Sequence, residues 1–327
     1  MNIKVSVIIP IYNTAIYIER CAKSLLNQTL GHELELIFVD DGSTDDSVLI
    51  LRNILKKFPE RINQVKIIQH SENKGSGAAR TTGISAATGE FIGIVDSDDY
   101  IDHEMFENLY TKAIQENADV VVSDIIFEYK EHSFVVTEYL NPVDKRIFED
   151  VLINERTHTF SCNKLVSREL YLREECQIPE GLNFLEDRHV MTRIFFYAKK
   201  IIKDENAYYH YTQYRPDSIT KNKHKMHFEN VLLFWKLMDS FLSENHLIDK
   251  YKTIVDKGKL QNKCDLMIDT NSCKLRKEYA GMFLKEEKQY IAEMKRGEKI
   301  MLFLVRNRLF MLAQLFHNLL KLKNKKF

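Results

Sequence analysis

Short apolar segments alternate with segments of helical periodicity through the first 125 residues of the chain. The apolar segments are rich in β-branched residues and have the length of buried strands. Between them, apolar side chains recur at helical spacing, as Ile18, Cys21 and Leu25 do. About five alternations predict an α/β fold with a doubly wound, mostly parallel sheet. The predicted strands cover residues 5–10, 34–39, 65–69, 91–95 and 119–124.

Residues that could bind a ligand lie at the ends of three of these strands. They are Pro10 and Tyr12 at the end of the first, Asp40 and Asp41 after the second, and Asp96, Ser97 and Asp98 after the fourth. In open α/β sheets ligands bind beyond the carboxyl ends of strands, so we expect these residues to line a ligand site. Crowded carboxylates need cations or strong donors nearby, and Mg²⁺ or Mn²⁺ commonly binds one or two carboxylates together with phosphates. The alternative is a solvated turn in which Asp99 or Asp102 caps the next helix.

A bound nucleoside diphosphate accounts for the three strand ends together. Tyr12 offers an aromatic face to a base, and Asp41 can accept a hydrogen bond from a base N–H. Asp96 can accept from ribose hydroxyls, and Arg80 supplies positive charge for phosphates. Taken singly, Tyr12 is also typical of a half-buried tyrosine, and Asp40 of a turn or a helix cap. Their joint occurrence at successive strand ends favours the nucleotide.

Four motifs, VSVIIPIYN, FVDDGSTDDS, NKGSGAARTTG and FIGIVDSDDY, follow one another over residues 3–125. In order and spacing they resemble the family 2 glycosyltransferases of bacterial surface-polysaccharide synthesis, which have the GT-A nucleotide-diphospho-sugar transferase fold. The resemblance implies an inverting glycosyltransferase that takes a UDP-sugar, uses Mn²⁺ or Mg²⁺, and acts on a glycan or lipid-linked saccharide. It makes Asp98 the metal ligand. The expected nucleotide contacts are Pro10, Tyr12, Asp41, Asn73, Arg80, Asp96 and Ser97.

The second half of the chain adds four candidate site residues. Glu186 and Asp187 resemble the family's Glu-Asp motif, which implies that Asp187 is the catalytic base and that Glu186 orients it or the acceptor. The alternative is a pair of acids that only favours the dipole of the following helix. Arg215 lies in a segment that resembles a loop closing over the diphosphate, and it can bind phosphate oxygens bidentately. His210 is a metal or phosphate neighbour, or a structural histidine.

Other kinds of protein share parts of this pattern. A Rossmann dehydrogenase is disfavoured because the first strand leads into Pro10–Asn13 without a Gly-x-Gly-x-x-Gly motif. A nucleotidyltransferase is also α/β with metal-binding carboxylates, but the basic, glycine-rich loop that it usually has near the first strand is absent. A non-catalytic nucleotide-sugar-binding subunit of a glycosyltransferase complex would keep the same motifs, and this alternative stays open.

The sequence pattern also changes along the chain. We expect a GT-A catalytic domain at 1–220, with a nucleotide-sugar-binding half at 1–125 and an acceptor half at 126–220, followed by a helical C-terminal region at 221–327. Residues 295–326 contain nine Lys or Arg and one acid, interleaved with Leu, Phe and Met. A basic amphipathic end of this kind, over 299–327, predicts contact with an anionic membrane surface, or packing in a homo-oligomer or against another domain with the basic face in solvent.

Charge and cysteine content narrow the cellular setting. Lys plus Arg and Asp plus Glu number 47 each, so no overall charge indicates nucleic acid as a partner. The five cysteines lack a Cys-x-x-Cys spacing and are typical of reduced thiols. Neither a signal peptide nor an apolar run of about 18 residues is evident. We therefore expect a cytoplasmic protein, peripheral at most at the inner face of the cell membrane.

Overall fold

The computed structural model describes residues 3–140, 148, 152, 158–215 and 225–324. The chain divides into two compact units, Met1–Arg215 and Pro216–Phe327. The domain boundary expected at residue 220 lies outside the described residues. A sheet flanked by helices forms the first unit, and helices form the second.

Nine strands make up a single mixed sheet in the described part of the first unit. They are β1 (Val5–Ile11), β2 (Leu34–Asp40), β3 (Val65–Gln69), β4 (Phe91–Ile94), β5 (Tyr100–Ile101), β6 (Val120–Glu128), β7 (Ser133–Val136), β8 (Lys164–Ser167) and β9 (Ile201–Thr212). The spatial order is β3-β2-β1-β4-β8-β6-β9-β5, and β7 pairs with β6. β3, β2, β1 and β4 are parallel neighbours, as in a doubly wound sheet.

Helices cover both faces of this sheet. They are α1 (Ile18–Leu26), α2 (Ser47–Leu55), α3 (Ser76–Ala86), α4 (Met105–Glu116), α5 (Arg168–Leu172) and α6 (Glu186–Tyr197), with 3₁₀ turns at Gly31–Glu33, Pro59–Gln64 and Glu174–Cys176. Residues of α1, α2 and α4 share one buried cluster with Val7 and Ile9. Residues of α3, α5 and α6 share a second with Ile8 on the opposite face. Burial on both faces explains why β1 is an almost continuous apolar run.

The predicted doubly wound sheet is confirmed, with one difference in strand order. All five predicted strands occur, but β6 does not pair with β4, because β8 lies between them and is antiparallel to both. Val166 of β8 faces Ile92 on one side and Val120 on the other. The pairing of β8 depends on two strands that come more than 40 residues earlier, so local periodicity does not indicate it.

The second unit confirms the predicted helical C-terminal extension. Its helices are α7 (Lys225–Glu244), α8 (Ile248–Asp269), α9 (Cys273–Ala280), α10 (Leu284–Tyr290), α11 (Arg296–Arg306) and α12 (Phe310–Asn324), with a 3₁₀ turn at Ile291–Glu293. Lys263 and Glu287 are fully buried and form an ion pair at 2.5 Å. Within the described residues, none of the helices has both the length and the apolar character that a membrane crossing requires.

Candidate active site

An acidic turn, Asp96–Asp99, follows β4 at the carboxyl edge of the parallel strands. The amide of Asp99 donates to the carbonyl oxygen of Asp96 at 3.0 Å, which closes the turn. Ser97 is 3% exposed and Asp99 is fully buried. Several carboxylates therefore lie close together in a poorly solvated position, and burial and the neighbouring charges raise the pKa of Asp98 and Asp99.

Arg80, one turn into α3, binds three carboxylates. Its Nη2 lies 3.0 Å from Asp96 Oδ1, and its Nη1 lies 2.9 Å from Glu186 Oε1 and 2.6 Å from Asp187 Oδ1. Arg80 is 6% exposed. Burial alone would lower the pKa of its guanidinium, but the three carboxylates outweigh burial and raise it. The guanidinium stays charged and holds the acidic turn next to the start of α6.

Two glycines let the start of α3 approach the loop before α6. A Cβ on Gly75, which has a φ of +95°, would lie 2.1 Å from Asn183 Oδ1. A Cβ on Gly77 would lie 2.8 Å from the carbonyl oxygen of Leu182. Larger residues would separate the two segments and move Arg80 from its partners. Gly77 therefore serves a close approach of backbones, whereas Gly75 has a positive φ and leaves room for the Asn183 side chain.

The pKa of the Asp187 carboxyl is raised into the neutral range. Burial, Glu186 and Asp96 raise the pKa of its carboxyl, Arg80 and a hydrogen bond from Ser161 lower it, and the resulting pKa is about 7. Ser161 Oγ donates to Oδ1 at 3.0 Å, the oxygen that Arg80 also binds. Oδ2 has no partner among the described residues. The Asp187 side chain as a whole is 32% exposed.

Arg215 pairs with Asp98 across the acidic turn. Its Nη1 lies 2.9 Å from Asp98 Oδ2. Burial and the charge of Asp96 raise the pKa of Asp98, and Arg215 opposes them. The expected phosphate-binding arginine thus lies beside the expected metal ligand.

The end of β9 is bound to the acidic turn by three further residues. Tyr209 donates its hydroxyl to Asp99 Oδ2 at 2.6 Å, and the Thr212 amide donates to Asp99 Oδ1 at 2.7 Å. Arg20 donates to the Asp98 carbonyl oxygen at 3.2 Å and to Thr212 Oγ1 at 2.7 Å. These contacts fix the backbone around Asp98.

The two residues expected at the nucleotide base, Tyr12 and Asp41, both follow parallel strands, but they differ in exposure. Tyr12 is 42% exposed, and Asp41 is 3% exposed. The Asp41 carboxylate accepts from the amides of Lys74 and Gly75 at 2.9 and 2.7 Å and faces His70 Nδ1 at 2.7 Å. These contacts use most of its acceptor capacity.

Three of the remaining expected residues make no hydrogen bond or ion pair with Asp98 or Arg80 within the described part of the chain. Asn73 accepts from the Gly75 amide at 2.9 Å, within its own loop. Pro10 lies next to the end of β1. The ring nitrogens of His210 face Glu128 at 2.7 Å and Asp102 at 3.2 Å, and the ring stacks on Tyr100. The structure therefore does not bring His210 into contact with Asp98.

The acidic turn offers hard oxygen ligands to a divalent cation. Among the described residues, no three His, Cys, Asp or Glu side chains are grouped so that they could enclose a metal. Mg²⁺ sites built from one or two carboxylates plus substrate phosphates do not need such a group. Asp98, with a raised pKa next to Asp96, fits a cation that binds together with a diphosphate.

Three contributing residues carry no signal in the sequence pattern. Ser161 binds Asp187, Ser76 Oγ donates to Glu186 Oε1 at 2.7 Å, and Arg20 holds the acidic turn. Each lies far along the chain from the group it binds. The only local signal is that Ser76 lies within the third motif.

The sheet and its flanking helices have the GT-A fold, which is a fold of glycosyltransferases. A crystal structure of S. aureus TarS 1-349 in complex with UDP-GlcNAc has the same fold, with a TM-score of 0.70 and 20% identity, covering 98% of this chain and 92% of that one. At this identity the likeness concerns the fold alone.

The chain belongs to glycosyl transferase family 2, whose profile matches residues 6–173. EpsH of Bacillus subtilis (strain 168) is 31% identical over 258 residues, which are 77% of this chain and 73% of that protein. The poly(ribitol-phosphate) beta-glucosyltransferase of Bacillus spizizenii is 31% identical over 218 residues, 64% of this chain and 32% of that protein. The predicted family, fold and enzyme class are confirmed.

Arg80→Met should destabilise the protein in a pH-dependent way. Removing the cation leaves three carboxylates in contact, and the loss of one partner of a buried ion pair costs about 3 kcal/mol. Without Arg80, the pKa of Asp187, which is already about 7, rises further in the folded state, so the folded protein binds more protons than the unfolded chain. The stability loss should therefore be large at pH 8 and smaller at pH 5.5.

Urea unfolding at both pH values measures this difference. Arg52→Met is the matched control, because Arg52 is an exposed arginine of α2 with one side-chain hydrogen bond, to Gln69 at 3.3 Å. The control should change the free energy of unfolding little at either pH. An equal loss at pH 8 and pH 5.5 in Arg80→Met would contradict the account of Arg80.

Proposed function

We propose that the protein transfers a sugar from a UDP-sugar to a saccharide acceptor of a surface polysaccharide, with inversion at the anomeric carbon. One observation carries the proposal. The Asp187 carboxyl, with a pKa raised to about 7, is bound through Arg80 to the acidic turn that ends β4. A general base is most effective when its pKa lies near the working pH.

Asp187 takes the proton of the acceptor hydroxyl on Oδ2, because Arg80 and Ser161 both bind Oδ1. The acceptor oxygen then forms a bond to the anomeric carbon as the bond to the UDP oxygen breaks. The bonding electron pair leaves with the diphosphate. A single in-line displacement of this kind inverts the configuration. Glu186 contributes by raising the pKa of Asp187 and by binding the same guanidinium.

The UDP part of the donor binds at the ends of the parallel strands. TarS, which shares the fold, was solved with UDP-GlcNAc, and this supports a UDP-sugar. Tyr12, being 42% exposed, can stack on the base. Asp96 keeps one carboxylate oxygen outside the Arg80 ion pair for the ribose hydroxyls. Asp41 would accept a hydrogen bond from the nucleotide base with the lone pairs that Lys74, Gly75 and His70 leave free. Pro10, Asn73 and Ser97 would line the same pocket.

Asp98 would hold Mn²⁺ or Mg²⁺, which when bound neutralises charge on the leaving diphosphate. Arg215 lies within 2.9 Å of Asp98 and can donate bidentately to diphosphate oxygens. Metal ligation by His210 has less support, since both of its ring nitrogens already face carboxylates.

Asp187→Asn should lower sugar transfer by about 10²–10⁴-fold while UDP binding persists, because an amide cannot take the proton. The measurement is UDP release from a panel of UDP-sugars, first with water and then with saccharides as acceptors. UDP affinity is measured separately by calorimetry. Donor hydrolysis by the wild type would also exclude a non-catalytic subunit. Full turnover by Asp187→Asn would remove Asp187 from the mechanism.

The pH dependence of kcat/KM should report the same carboxyl. A base acts deprotonated, so kcat/KM should fall as pH decreases below about 7, the pKa of Asp187. Glu186→Gln removes a charge that raises this pKa, and the acidic limb should move to lower pH. Glu104→Gln, at an exposed acid, should leave the limb in place. An acidic limb that does not respond to Glu186→Gln would contradict the assignment.

Asp98→Ala should abolish the metal dependence of UDP binding. With Mn²⁺ present, UDP affinity should fall at least about tenfold, which corresponds to 1.4 kcal/mol. Without metal it should stay equal or rise, because Arg215 is released for the diphosphate. Asp102→Ala, in the same stretch but facing His210, is the control. Unaltered affinity with Mn²⁺ in Asp98→Ala would contradict the ligand assignment.

We also propose that the end of the second unit binds an anionic membrane surface. Met311, Leu315 and Leu319 recur along α12 and are 84%, 59% and 63% exposed. Residues 295–326 around them carry nine cations against one acid. An exposed apolar stripe with basic flanks is the usual form of an interfacial helix. The alternative is that a second copy of the chain packs on this stripe in a homo-oligomer.

The triple variant Met311→Glu, Leu315→Glu, Leu319→Glu should not float with phosphatidylglycerol vesicles, whereas the wild type should. Three exposed apolar residues of the first unit, Leu49, Ile62 and Ile114, are 56%, 50% and 52% exposed and provide the control when changed to Glu. Flotation of all three proteins would contradict the proposal. Absence of flotation together with a wild-type dimer that the triple variant loses would assign the stripe to a homo-oligomer.

A further inference from the structure

Strand β7 has an unusual composition for the edge of a sheet. Its residues are exposed or half-buried, and they include Phe134 and Val135, which are 46% and 54% exposed. Exposed edge strands are usually short, charged or interrupted by proline, because an apolar edge promotes aggregation. Phe134 therefore keeps 46% of its surface exposed on an edge strand, although it packs on Phe127 and Tyr129.

The register of the sheet places Phe134 in a row of aromatic residues. Phe134 of β7 faces Phe127 of β6, and Phe127 faces Tyr211 of β9. The ring centroids are 5.7 and 5.1 Å apart. Tyr129, two residues after Phe127 and so on the same face, stacks on Phe134 at 5.7 Å with 17° between the planes. Phe160 completes the row, at 6.3 Å from Phe127. These five residues are called the aromatic strip.

The inner end of the aromatic strip adjoins the candidate active site. Phe160 directly precedes Ser161, which donates to Asp187 at 3.0 Å. Tyr211 lies on the same face of β9 as Tyr209, whose hydroxyl binds the acidic turn. The outer end, at Tyr129 and Phe134, is exposed to solvent. The strip thus runs from Phe160, the sequence neighbour of Ser161, to the edge of the sheet.

We propose that the aromatic strip binds the saccharide part of the acceptor. The proposal rests on the transferase function above and names a subsite for its second substrate. The C–H face of a sugar ring packs on a flat aromatic face, while hydroxyls at its edge need polar partners. Tyr129 and Tyr211 provide both in one side chain, and His132 stacks on Tyr129 at 4.8 Å. An alkyl chain would gain nothing from these polar groups.

The surface of the strip also indicates a chain of more than one sugar. The row spans three strands, and successive ring centroids are 5.1 to 6.3 Å apart. A saccharide bound along the strip would extend from Phe160, next to Ser161, towards Phe134 at the edge of the sheet. The outer residues then affect acceptor affinity and leave the reacting atoms untouched.

Binding is tested by saturation-transfer NMR with four disaccharides (maltose, cellobiose, lactose and chitobiose) and with decyl maltoside below its micelle concentration. The wild type should transfer saturation to the sugar protons of at least one disaccharide. The double variant Tyr129→Ala, Phe134→Ala should bind that disaccharide roughly tenfold more weakly. Phe134→Trp should retain binding, since it keeps an aromatic face.

Val135→Ala is the matched control, because Val135 lies on the same strand, is equally exposed and faces the opposite side of the sheet. It should bind like the wild type. UDP release from the donor in the absence of acceptor should be unchanged in all variants. A wild type that releases no UDP from any donor would contradict the transferase function, and saccharide binding would still be measured independently.

Two results would overturn the proposal. One is no saturation transfer to any disaccharide, or equal transfer in the double variant. The other is transfer confined to the alkyl protons of decyl maltoside, which would assign the strip to an apolar chain.

Discussion

One guanidinium between three carboxylates is the constraint on which the candidate active site depends. Arg80 is 6% exposed and binds Asp96, Glu186 and Asp187 within 3.0 Å. Without it, the end of β4 and the start of α6 would repel each other. With it, the carboxyl of Asp187 keeps a pKa of about 7, above that of an exposed aspartate and low enough for ionisation at neutral pH. The same interaction therefore joins two parts of the fold and helps to set the pKa of the proposed base.

The fold satisfies this constraint through close backbone approach. Parallel β1, β2 and β4 bring their carboxyl ends to one edge, where the chain turns sharply after Ile94. Gly75 and Gly77 let the start of α3 touch the loop before α6, and Arg80 follows within a turn. Tyr209, Thr212 and the pairing of Arg215 with Asp98 then bind the end of β9 to the same turn. A glycosyltransferase of family 2 thus collects its polar groups from segments spread over more than 200 residues.

Short sequence patterns predicted the elements whose formation depends mainly on residues close together in the chain. The buried parallel strands were evident as β-branched runs, and the motifs at their ends indicated Asp96, Asp98 and the family. The antiparallel β8 was missed, because its pairing with β4 and β6 is decided by distant residues. Ser161 and Arg20 were missed for the same reason. Arg80 was expected at phosphates, but its contacts are carboxylates, since only the tertiary fold brings α6 to α3. The aromatic strip likewise depends on the register of three strands.

The most direct test of the central claim is the titration of Asp187 itself. Protein labelled with [4-¹³C]aspartate, with Asp187→Asn used to assign the signal, reports the ionisation of this carboxyl by NMR. The account predicts a midpoint near 7. A midpoint close to the ordinary aspartate value of about 3.9 would contradict it, because Asp187 would then lack the raised pKa that makes it the base.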